Sequence, residues 1–120
     1  MTQERLIANL DEMEQIARET AGFVAGATFE SFMTDLLMQR ALGMNLLMIG
    51  EAASRLVEES PDFVTDHPEV PWQKIRGMRH RIAHNYFRID LETIWSTATS
   101  AVPDLLKLIV EIRNPRMQGE

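Results

Sequence analysis

Cysteine is absent from this chain of 120 residues, which excludes disulfides, a thiolate nucleophile and cysteine-ligated zinc. The same absence fits a reducing compartment, so a cytoplasmic location is expected. No stretch approaches the roughly twenty apolar residues that a membrane-spanning helix needs, and no membrane association is expected. The first residues, Met1-Thr2-Gln3-Glu4-Arg5-Leu6, carry an early acid and no long apolar run, unlike a secretory leader. Strand-like alternation of convincing length, internal repeats and low-complexity tracts are missing too. Tyrosine occurs once, at Tyr86.

What is present suits one globular domain. Apolar residues make up 45% and charged residues 25% of the chain, which argues against disorder. A single domain is expected over residues 1–113, with residues 114–120 as a frayed tail. The net charge of −6 hides a local reversal. Between Lys74 and Arg88 lie five basic residues and no acid, so the seven basic and eighteen acidic residues elsewhere leave −11 for the rest. A focused cationic patch on an acidic protein attracts anions such as phosphates while suppressing loose contact with nucleic acid. Lys74, Arg76, Arg81 and Arg88 are therefore candidate phosphate contacts.

Apolar spacing predicts helices almost throughout. Leu6, Leu10, Met13 and Ala17 recur at helical steps, giving an amphipathic helix from about Thr2 to Ala21 that ends before Gly22. Thr28 is expected to cap a turn through Phe29 and Phe32, and Asp35 to open a long helix to about Glu59. Leu42 through Ile49 is apolar nearly all round, the pattern of a central element buried on several sides. The eight methionines, the Met44 and Met48 pair among them, read as core filler rather than a cofactor box. Three prolines between Ser60 and Pro71 predict a loop or a single turn. Helix resumes at Trp72, and Asp90 caps a last helix that Pro103 must kink or restart. The expected fold is all-α, a bundle of four or five helices.

The basic helix carries the chemistry. At about 100° per residue, Ile75, Met78 and Ile82 form its core stripe, while Arg76, His80, Ala83 and His84 project on the other side. Arg79 sits at one flank, about 140° from His84 around the axis, so one copy cannot easily bring both to one atom. Two copies meeting across a two-fold axis could line a shared cleft, and a homodimer is expected. Histidine can take a proton from a ribose 2′-hydroxyl or give one to a leaving 5′-oxygen. Arginine supplies a fixed cation for charge developing on phosphorus. Together they suffice for RNA cleavage without a metal or other cofactor, and DNA would be inert for lack of the 2′-hydroxyl.

These residues also carry a resemblance. Arg79-x4-His84, with polar His80 after the arginine and Tyr86 two positions after the histidine, resembles the signature of the HEPN superfamily. The HepT-like toxins paired with minimal nucleotidyltransferase (MNT) antitoxins are the most similar branch. Ile49-Gly50-Glu51-Ala52-Ala53, Pro71-Trp72-Gln73-Lys74-Ile75-Arg76-Gly77-Met78-Arg79 and Asp90-Leu91-Glu92-Thr93-Ile94-Trp95 are similar to further stretches of that family, so the likeness spans most of the chain. It implies a HEPN-like homodimeric bundle. It also implies a type VII toxin, a metal-independent ribonuclease with Arg79 and His84 as the catalytic pair and His80 and Asn85 as accessory residues. The antitoxin would neutralise it by moving AMP from ATP to Tyr86. Position 80, often Asn in this branch, is His80 here.

Other readings stand beside these. Arg79 could be a structural arginine paired with an acid such as Glu51, and Glu51 and Asp35 could orient it. His84 could be a half-buried histidine, and Tyr86 a packing residue with its hydroxyl in water. His80 and His84, four apart, have the spacing of two zinc ligands. No third ligand is evident and the adjacent arginines oppose a cation, so no metal is expected. The alternative function is a non-catalytic HEPN module that binds nucleotides or docks a nucleotidyltransferase.

Overall fold

In a computed structural model, which describes residues 2–114, the two longest helices each start on a side-chain cap. Thr2 accepts the Arg5 N–H at the head of α1 (Gln3–Val24), and Asp35 accepts the Met38 N–H at the head of α3 (Leu36–Glu59). Between them Thr28 and Ser31 close a reciprocal capping box on the short α2 (Phe29–Met33). α1 runs on through Gly22, where no neighbour crowds the glycine, and stops only before Gly26, whose φ of 79° is left-handed. The expected end at Ala21 is thus corrected to Val24, three residues later.

α4 (Pro61–Asp66) is a short helix where the sequence suggested a loop or single turn, because Pro61 occupies its first turn, the one place proline favours helix. α5 (Trp72–Asn85) has no side-chain cap. Its start is held instead by Trp72, which is buried, donates Nε1–H to the His67 carbonyl at 3.0 Å and meets Phe63 edge-on at 6.2 Å. A 3-10 turn (Tyr86–Arg88) follows. Asp90 caps α6 (Leu91–Ser96) as expected. A π-helical turn at Thr97–Ala101 then leads into α7 (Val102–Arg113), with Pro103 in its first turn. Proline therefore restarts the rod at a point where its missing N–H is accommodated by a widened turn. No strand occurs among the described residues. The frayed tail expected at 114–120 falls largely outside the described residues. Asn114 itself caps α7 by donating its N–H to Val110.

α3 is the central element and packs against α1, α2, α4, α5 and α6. Leu42, Leu46, Ile49, Ala52, Ala53 and Leu56 bury one broad face of it. The expectation of burial nearly all round is corrected at Met44, which is 53% exposed and continues an outer stripe from Leu37 and Arg40 that no helix among the described residues covers. Buried polar groups tie α3 in place. Asn45 donates to Thr20 Oγ1 at 3.1 Å, and Thr20 donates back to the Ile16 carbonyl at 2.8 Å. Gln39 extends its amide to the Phe32 and Met33 carbonyls at 3.0 and 3.2 Å, closing the α2–α3 connection. Unmade bonds at such buried groups would each cost about 1–3 kcal/mol.

Candidate active site

α5 lies antiparallel against α3, and two glycines let it approach. A β-carbon at Gly43 would stand 2.6 Å from Cε1 of Tyr86, and one at Gly50 would collide with Cβ of Arg79. Gly43 and Gly50 are seven residues apart, as are Arg79 and Tyr86. Two turns of one helix thus match two turns of the other, and each candidate side chain enters a notch that only glycine leaves open.

From its notch Arg79 reaches Glu51, whose Oε1 accepts the guanidinium Nε–H. The structural pairing considered for Arg79 is therefore present, yet about a third of the side chain stays accessible. Asp35 has no part in it: its carboxylate caps the start of α3, sixteen residues before Glu51. Arg76 pairs with Glu58 at 3.7 Å, and Arg55 with Glu12 at 3.1 Å. A surface groove of about 470 Å³ opens between α3 and α5, lined by Glu51, Arg55, Glu58, Arg76, Arg79 and His80. The cationic patch read from the sequence is thus divided. Arg76 and Arg79 are matched to carboxylates, whereas Lys74, Arg81 and Arg88 have no carboxylate partner among the described residues.

The outer face of α5 carries the histidines. His80 and His84 are both exposed, their ring centroids 4.4 Å apart and their planes at 45°. His84 is therefore not half-buried. It stands one turn beyond the groove that holds Arg79 and His80. Asn85 and Arg88 are exposed past it. On the opposite flank Lys74 and Arg81 rim a cleft of about 400 Å³ with an apolar floor that includes Ile75, Met78, Val102 and Leu105.

Tyr86 closes the far end. Its ring packs into the Gly43 notch, and its hydroxyl donates to the Gln39 carbonyl at 3.0 Å rather than pointing into water. The Arg40 guanidinium lies 5.3 Å over the Tyr86 ring and 5.5 Å over that of Phe87, which is 87% exposed. Tyr86 still borders a surface pocket of about 280 Å³ with Leu36, Arg40 and Phe87. Sequence reasoning missed Arg40 and both glycine notches. The spacing of seven between Gly43 and Gly50, matched by that between Arg79 and Tyr86, was the available signal.

A family model described as HepT-like, ribonuclease HepT-like, matches residues 13–112. The chain belongs to the HepT-like family of ribonucleases, within the HEPN superfamily. Curated relatives agree. "Putative RNase TTE0752" of Caldanaerobacter subterraneus subsp. tengcongensis is 39% identical over 89 residues, 74% of this chain and 77% of the relative. "Putative RNase MJ0127" of Methanocaldococcus jannaschii is 36% identical over 79% of this chain and 76% of its own length. "Probable ribonuclease HepT" of Thermococcus cleftensis is 31% identical over 80% of this chain and 84% of its own. No solved structure matches. The arginine and the histidine of the expected motif lie on one helix, Arg79 lining the groove and His84 exposed one turn beyond it. No helix among the described residues is long and apolar enough to cross a membrane.

Proposed function

We propose that this chain is the toxin of a HEPN/MNT toxin–antitoxin system. It would be a metal-independent endoribonuclease in which Arg79 and His84 act on one phosphodiester from the two protomers of a homodimer. The observation that carries this reading is the division of α5. Arg79 is oriented by Glu51 beside the groove, while His84 stands free on the outer face. Two copies can supply what one cannot. A self-contact is supported by the apolar side chains left uncovered near the site, Leu37 at 83%, Leu36 at 59% and Met44 at 53% exposed, beside Phe87.

His84 takes the proton of the 2′-hydroxyl, whose oxygen attacks the adjacent phosphorus. The bond to the 5′-oxygen breaks, that oxygen acquires a proton, and a 2′,3′-cyclic phosphate remains. Arg79 stabilises the charge that builds on the non-bridging oxygens. His80 and Asn85 flank the reacting group. Lys74, Arg76, Arg81 and Arg88 hold neighbouring phosphates, the three unpaired ones most strongly. In neutralisation the Tyr86 oxygen attacks the α-phosphorus of ATP on the antitoxin and pyrophosphate leaves. The hydroxyl must first release the Gln39 carbonyl. The added anion two residues from His84 then repels RNA.

Purified protein incubated with RNA in EDTA, beside His84→Ala and Arg79→Ala, tests the enzyme. Cleavage lost in both variants is expected. An unmodified protein that binds nucleotide but leaves RNA intact would instead be the non-catalytic module. Sizing in solution tests the dimer. Intact mass after mixing with the antitoxin and ATP tests the modification, and a mass gain that survives Tyr86→Phe would reject Tyr86 as acceptor.

A further inference from the structure

We propose that His80 and His84 form a two-imidazole site for one borderline transition-metal ion, such as Ni²⁺ or Zn²⁺, and that its occupancy withdraws the His84 ring from proton transfer. Metal binding stands on geometry alone, and its effect on cleavage rests on the ribonuclease reading.

Both rings are exposed, lie one turn apart on a regular helix and approach to 4.4 Å between centroids. An ion held at about 2.0–2.1 Å by two ring nitrogens in tetrahedral geometry needs those nitrogens about 3.3 Å apart, a separation within reach of two rings already this close once their side chains rotate to aim the nitrogens at one point. Free lone pairs are the second requirement. No ring nitrogen of His80 or His84 has a protein partner among the described residues, whereas His67 Nδ1 lies 3.0 Å from Glu69.

Charge is the third. The sequence opposed a cation here because arginines flank the histidines. The structure ties the two nearest on the groove side to acids, Arg79 to Glu51 and Arg76 to Glu58, and Arg81 turns to the apolar cleft on the other flank. Among the described residues no third histidine or carboxylate converges on the pair. Water must complete the coordination shell, which makes the site open and reversible rather than structural. Imidazole ligands favour Cu²⁺, Ni²⁺ and Zn²⁺ over Mn²⁺ and leave Mg²⁺ unbound. The ion would be an inhibitor of the enzyme, with no part in the reaction itself.

The test is calorimetric titration of the full chain with NiCl₂, and proton NMR of the histidine rings with traces of CuCl₂. One Ni²⁺ per chain is expected, with the resonances of His80 and His84 broadening before that of His67. His80→Gln and His84→Ala, each checked for helicity by circular dichroism, should weaken Ni²⁺ binding by more than about tenfold, the loss seen even when outer partners of ligating histidines are removed. His67→Ala should bind as the parent does, and MgCl₂ should give no heat. Equal Ni²⁺ affinity in His80→Gln and the parent, or simultaneous broadening of all three rings, overturns the site. Zn²⁺ should slow RNA cleavage and EDTA restore it. A chain that binds Ni²⁺ yet never cleaves RNA in EDTA fails the ribonuclease reading alone, and one that cleaves but binds no Ni²⁺ fails this proposal alone.

Discussion

The ring of Tyr86 fills the space that a side chain at Gly43 would need, with Cε1 2.6 Å from where a β-carbon would stand. Gly43→Ala sets two effects against each other. Alanine favours the helix by about 1 kcal/mol, while overpacking costs about 1–3 kcal/mol. The clash should win, lowering Tm by several degrees and freeing the Tyr86 hydroxyl from the Gln39 carbonyl. Adding Tyr86→Ala should relieve the clash, so the two substitutions will be strongly non-additive in thermal melts. A higher Tm for Gly43→Ala alone would contradict the close approach.

Glu51→Gln should separate orientation from binding. The pair it forms with Arg79 is partly exposed, so its loss should change stability by no more than about 1 kcal/mol. If Arg79 acts on the phosphate as proposed, losing the group that orients it should lower kcat by about 10–100-fold with KM little changed. Steady-state cleavage of a short RNA measures both, and a rise in KM at constant kcat would make Glu51 a binding determinant instead.

Helix starts were legible in the sequence because their cause is local. Thr28, Asp35 and Asp90 each cap with an oxygen that reaches an N–H three residues on. Stops were harder to read. Gly22 looks like a terminus, yet Gly26 is the residue with left-handed φ. The placing of Arg79, His84 and Tyr86 along one helix and the turn after it was legible from spacing, and the Arg79–Glu51 pair was one of the alternatives considered. The notches were not, since Gly43 and Gly50 acquire meaning only when a helix distant in sequence packs on them. A count of charges likewise overstates the patch, because Glu58 and Glu51 come from α3 to meet Arg76 and Arg79.

RNA affinity should therefore depend on salt less than five cations imply. Removing Lys74, Arg81 or Arg88 singly should each flatten the slope of log affinity against log salt by about 0.7, the value for a single strand. Arg76→Ala should flatten it less, since Glu58 already neutralises that side chain. Filter binding across a salt series with His84→Ala as background decides this, and equal slopes for Arg76→Ala and Arg81→Ala would refute the distinction.

Acid should expose a small contribution from the turn before α5. His67 hydrogen-bonds to Glu69 and, with the residue's own backbone N–H, holds its carboxyl below the ordinary value of 4.5. A lowered value stabilises the fold above that pH and is lost as pH falls through it. The stability difference between the parent and Glu69→Gln should shrink below about pH 4.5, as urea midpoints across pH would record. Glu69 is largely in water, so the difference should be slight throughout.

Gln39 serves two masters, its amide securing the α2–α3 corner and its carbonyl receiving the tyrosine hydroxyl. Prying Tyr86 outward thus draws one peg from the α3–α5 seam and disturbs the corner, while Arg79 stays seated two turns away. If Tyr86 is modified as proposed, the chain should consequently keep its helices in register and lose only the alignment at one end, misaligned rather than unfolded.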